Sequence, residues 1–109
     1  MTPQLPPQRF ADSLLEHRRE LDAIDAQLVS LLAARFAVTR RIGELKAAHG
    51  VAAADPAREQ AQMERLLTLS AAQELPIEVT RTVFETLFRI VRENHLAQTR
   101  FTAESAIDG

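Results

Sequence analysis

Cysteine is absent from the 109 residues, which excludes disulfides and thiol chemistry and fits a reducing compartment. Tyrosine and tryptophan are also absent, glycine occurs three times, and alternating β-branched runs are missing, so nothing points to strands. No long hydrophobic run is present: "LVSLLAA", residues 28–34, is far too short to span a bilayer. Neither sign of charge dominates. A net charge of −2 gives no overall field to draw nucleic acid or an anionic membrane, so neither is expected as a partner. The opening "MTPQLPPQRF" has no basic n-region and no apolar h-region, so no signal peptide is expected and a cytoplasmic protein is the default. Lysine is nearly missing: of the thirteen basic residues only Lys46 is not arginine.

What remains is rich in alanine, leucine, glutamate, glutamine and arginine, residues that favour helix. The expected fold is all-α, in one small domain. Three prolines mark residues 1–10 as a loose arm. A helical pattern then runs from about Ala11 to about Ala48, roughly 57 Å at 1.5 Å per residue. In "HGVAAADP", Gly50 suits a left-handed C-terminal turn and Asp55 before Pro56 forms an N-cap with proline at the first helical position. A second helix spans Pro56 to about Ala72, with Met63, Leu66, Leu67 and Ser70 inward. A third runs from near Pro76 to about Thr102, with Val79, Val83, Leu87, Ile90, Asn94 and Gln98 on one face. Residues 103–109 are expected to fray. The domain therefore covers residues 11–102.

The first helix carries a seam of Leu21, Ile24, Leu28, Leu31, Arg35, Val38, Ile42 and Leu45, with steps alternating between three and four, as in a helix packed lengthwise on another. A monomer of this size is roughly 26 Å across. A ~57 Å helix overhangs it about twofold, so a second copy must cover the seam. The expectation is an intertwined homodimer with antiparallel long helices about a two-fold axis.

Arg35 stands in that seam, with Arg18 one step before Leu21 and Lys46 one step after Ile42. Arg35 and Lys46 share a face about 16 Å apart, near enough to reach one small ligand, whereas Arg18 and Arg35 are roughly 25 Å apart. In an antiparallel dimer the partner's Arg18 swings beside Arg35, which gives two equivalent sites made from both chains. Arg58 and Glu59 occupy the first turn of the second helix, and Asn94 and Gln98 project from the inner face of the third. Gly43 sits in mid-helix, where it costs about 1 kcal/mol relative to alanine; close approach of a neighbouring backbone would justify it. Singly, each has a plain reading: a snorkelling or ion-paired arginine, a register-setting asparagine, a first-turn glutamate favoured by the helix dipole. His17, His49 and His95 lack metal-ligand spacing, so no metal is expected. Together, the three cations of the first helix, one carboxylate and two amides in a helix junction suit a small, multiply charged anion, and the expected partner is a dianionic small molecule.

The order Arg18 to Asp25, "LLAAR" ending at Arg35, "IGELK" ending at Lys46, Asp55 with Arg58 and Glu59, and "ENHLAQ" ending at Gln98 resembles the all-α chorismate mutases of the AroQ class. The likeness covers about residues 14–98. It implies an isomerase (an intramolecular transferase) of aromatic amino acid biosynthesis in the shikimate pathway, converting chorismate to prephenate by a Claisen rearrangement without cofactor. It further implies that Arg18 of one chain and Arg35 of the other bind the substrate carboxylates. Lys46 and Gln98 would donate to the ether oxygen, Glu59 would hold the ring hydroxyl, and Arg58 with the Asp55 backbone would line the site. Asn94 stands where the family often has serine. Lys46, Gln98 and Glu59 are thus the catalytic candidates, and Arg18, Arg35, Arg58, Asp55 and Asn94 the substrate-binding ones. Isochorismate-pyruvate lyases and 4-amino-4-deoxychorismate mutases share the scaffold and stay open as alternatives, as does a non-catalytic helical dimer. The chain offers no nucleophilic triad, and a concerted rearrangement needs none.

Overall fold

The structure, a computed structural model, describes residues 6–108, and side chains for residues 6–100. Three helices follow in order: α1 (Pro7–Ala48), α2 (Pro56–Ala72) and α3 (Ile77–Asp108). No strand occurs among the described residues. Residues 7–10, assigned above to the arm, are helical: Pro7 takes the first helical position, where a fixed φ and a missing N–H are no handicap, and Phe10 N donates to Pro6 O at 2.9 Å. Residues 1–5 lie outside the described residues. α3 likewise continues past Thr102 to Asp108, since "AESAID" holds neither glycine nor proline to stop it.

The chain divides into two units, Met1–Arg35 and Phe36–Gly109, with the boundary inside α1. In the first unit the seam residues Leu21, Ile24, Leu28 and Leu31 are all exposed, Leu31 to 66 %. No described side chain of this unit is buried; Ser13, Leu14 and Arg35 are half-buried.

The second unit holds the packed material. Asp55 caps α2, its Oδ1 accepting from Arg58 N at 3.1 Å, and Pro56 follows as the first helical residue. Gly50 has φ 65°, the left-handed turn expected after α1. Met63, Leu66 and Leu67 are half-buried and Ser70 is buried, the inward face read from spacing. The face expected of α3 is met in part: Leu87 is buried and Ile90 and Gln98 are half-buried. Thr80, Leu87, Phe88 and His95 are buried, whereas Val79, Val83 and Asn94 are exposed. A hydroxyl knot ties α3 to α2: Thr80 Oγ1 donates to Ser70 Oγ at 2.6 Å, and Ser70 Oγ donates to Leu75 O at 2.9 Å. Buried hydroxyls take partners of this kind because burial without them costs one to a few kcal/mol, on the order of 1–3. The turn between α2 and α3 also holds Glu74 at φ 57°, a left-handed position closed by Leu75 N donating to Ser70 O at 3.0 Å. This is a Schellman closure without the usual glycine. Phe84 and Phe88 pack with ring centroids 6.1 Å apart at 58°, within the range of favourable tilted pairs.

Gly43 is the one residue of α1 that is fully buried. A β-carbon there would collide with the side chains of Gln98 and His95. The close approach read from sequence is real, but side chains of α3 make it rather than a backbone.

Candidate active site

Six of the eight candidate residues lie in the second unit. Lys46 is half-buried in the last turn of α1, and its carbonyl accepts from Val51 N at 2.9 Å, so the chain turns directly after it. Asp55 and Arg58 are exposed at the start of α2, tied to each other through the cap. Glu59, half-buried in the same turn, is placed by the local fold of α2: an acidic residue in the first turn is favoured by the unsatisfied N–H groups there.

Asn94 and Gln98 sit four apart on α3 and line a cavity of about 330 Å³ together with Phe36, Thr39, Arg40, His95 and Ala97. Gln98 is half-buried and its Nε2 donates to Arg40 O at 3.0 Å. His95, only 5 % exposed, has Nε2 at 2.8 Å from Thr39 O, a distance that makes it the donor to that carbonyl. Two α3 side chains thus grip consecutive carbonyls of α1, and Gly43 leaves room for both.

Arg18 and Arg35 belong to the first unit. Arg18 is exposed and Arg35 half-buried. Burial holds the Arg35 guanidinium below the usual arginine range, because removing water disfavours the charged form.

Several residues of the site region were not singled out from sequence: Phe36, Thr39, Arg40 and Ala97 line the cavity, and Arg92 pairs with Glu59. Arg92 of α3 donates through Nη1 to Glu59 Oε1, forming an ion pair between the two helices. It lies in a second i, i+4, i+7 row on α3, Phe88–Arg92–His95, adjacent to the row chosen from hydrophobicity. The row's two aromatic and imidazole members are both buried, and that spacing was the available signal.

The cavity is walled by two amides, an imidazole, a phenyl ring, Thr39, Arg40 and Ala97, a mix of polar and apolar groups that suits a small molecule, and the Glu59–Arg92 pair and Lys46 belong to the same unit. The family model for chorismate mutase type II matches residues 17–96. The chain belongs to that family, the AroQ class. No curated protein matches the chain. Membership supports a chorismate-mutase-type function, that of an isomerase. Among the described residues no helix is long and apolar enough to cross a membrane.

Proposed function

We propose that the protein is a chorismate mutase that works as an intertwined homodimer, each of its two sites built from both copies. The observation that carries this reading is the α1 seam within the family-matched segment. Seven apolar members, Leu21, Ile24, Leu28, Leu31, Val38, Ile42 and Leu45, are exposed, while the cation among them, Arg35, is partly desolvated. Covering such side chains, about half open to water, stabilises by on the order of 1 kcal/mol each. A second copy presents a matching stripe, and a doubly negative guest compensates the desolvated guanidinium.

In this reading Arg35 and the partner subunit's Arg18 bind the two carboxylates and fold the substrate into its reactive conformer, which converts conformational entropy into rate. The rearrangement breaks the ether C–O bond as a C–C bond forms, with no proton taken up or released. Negative charge grows on the ether oxygen, and Lys46 with an N–H of Gln98 stabilises it in a water-poor cleft. Lys46 is the largest catalytic contributor, on the order of several kcal/mol. Glu59 accepts from the ring hydroxyl, and Arg58, Asn94 and the Asp55 backbone line the site.

The test is a direct assay of purified protein with chorismate and isochorismate offered separately, alongside sedimentation to determine mass. Loss of chorismate absorbance with prephenate as product and a two-chain mass are expected. Pyruvate released from isochorismate without chorismate turnover would replace this reading with the lyase.

A further inference from the structure

Glu59 is the side chain expected to meet the ring substituent, yet it does not stand alone. Arg92, 33 residues later on another helix, bonds its Oε1. Their side chains are 39 % and 25 % exposed, so both are partly withdrawn from water and their charges are felt more strongly than on an open surface. The neighbouring cation on α3, Arg89, is already accounted for by Glu93 at 3.5 Å on the exposed side. Arg92 is the one turned toward α2.

We infer that Arg92 is a specificity-determining residue: its guanidinium on Glu59 makes the site select a substrate whose ring carries a neutral hydroxyl over one carrying an ammonium. The inference rests on the chorismate-mutase reading above and decides between ring substituents that glutamate alone would leave equivalent. A solitary, partly desolvated carboxylate prefers a cation to a hydroxyl, because the full Coulomb attraction adds to the hydrogen bond. A carboxylate whose charge is balanced by a guanidinium keeps lone pairs for a hydroxyl donor, since it offers about four acceptor positions. An incoming ammonium, in contrast, meets Arg92 as a like charge. Selectivity then comes from a repulsive element against the wrong ligand as well as an attractive one for the right ligand. Arginine suits this task better than a titratable group, because it stays charged at every working pH.

The test compares kcat/KM for chorismate and for 4-amino-4-deoxychorismate, at a pH below the amine's pKa as found by titrating that substrate. Wild-type protein is expected to favour the hydroxyl substrate by tenfold or more. Arg92→Gln is expected to narrow the preference about tenfold, equivalent to about 1.4 kcal/mol, and Arg92→Lys to restore most of it. A ratio cancels any loss of folded protein, so a purely structural helix–helix ion pair would lower both values equally and leave the ratio where it was. That outcome, or a wild-type enzyme that turns over the ammonium substrate at least as well, overturns the inference. Should Arg92→Gln not fold, Arg92→Met, which keeps the aliphatic stem and removes the charge, carries the same comparison. Wild-type protein that does not turn over chorismate overturns the mutase reading and this inference together, whereas chorismate turnover with an unmoved ratio overturns this inference alone.

Discussion

Replacing Gly43 by alanine sets two effects against each other in one residue. Alanine is the better helix former by about 1 kcal/mol, and at an open mid-helix position the change would stabilise. Here the new β-carbon meets the Gln98 amide and the His95 ring. Gln98 can swing its flexible end away, giving up its bond to Arg40 O. His95 has no such freedom, being buried and held against Thr39 O. Each hydrogen bond lost removes about 1 kcal/mol, and forcing volume into a packed site costs about 1–3 kcal/mol. Set against the propensity gain, the net is a destabilisation of about 2 kcal/mol, or a fall in Tm of roughly 10 °C for a domain of this size. Thermal unfolding followed by circular dichroism measures it, with mutase activity assayed in parallel because Gln98 is displaced. A Gly43→Ala protein that melts at or above the wild-type temperature with undiminished activity would refute the packing described for this junction.

Ser70→Ala removes the central hydroxyl of the Thr80–Ser70–Leu75 knot and strands a buried threonine; urea unfolding should show a loss of about 2 kcal/mol, and a change below about 0.5 kcal/mol would count against the knot. Leu28→Glu places a charge in the α1 seam and is expected to yield single chains by sedimentation, with activity lost because each site of the proposed dimer is built from two copies. Gln98→Glu should confine activity to acidic pH, since only the protonated acid donates a hydrogen bond; a pH–rate profile matching wild type would remove Gln98 from the ether oxygen. Arg35→Leu is expected to abolish turnover while raising Tm, because burial penalises the charged guanidinium. That penalty applies at every pH below the lowered folded-state pKa and is relieved only as pH rises through it toward the ordinary arginine value. The gain in Tm should therefore be the same at pH 5 and pH 9, and a gain that varies across that window would contradict a desolvation origin.

The elements of the fold were legible because local signals fixed them. Asp55 and Pro56 start α2 where the sequence says, Gly50 turns the chain after α1, and the α1 seam is unbroken in its spacing. The facing of α3 was legible only in part, at Leu87, Ile90 and Gln98. Val79 and Val83 are the apolar choices for an inner row, but Thr80 is buried instead, bonded to Ser70 ten residues away, and no hydropathy pattern anticipates a polar contact of that kind. For the same reason Arg92 went unread: its meeting with Glu59 depends on how two helices cross, which neither helix's own periodicity contains. Glu74 escaped as well, since a left-handed helix end is signalled by glycine or asparagine and here is closed by surrounding bonds.

The turn at Glu74 acts on the chemistry as a pivot acts on a lever. From the start of α3 at Ile77 to Arg92 is fifteen residues of helix, roughly 22 Å of arm, so a tilt of about 5° at the pivot would carry the guanidinium roughly 2 Å sideways. Displacements near 1 Å are enough to change rates about a hundredfold where groups must converge on one substrate. A change of backbone at Glu74, a left-handed position remote from Glu59, would thus re-aim Arg92.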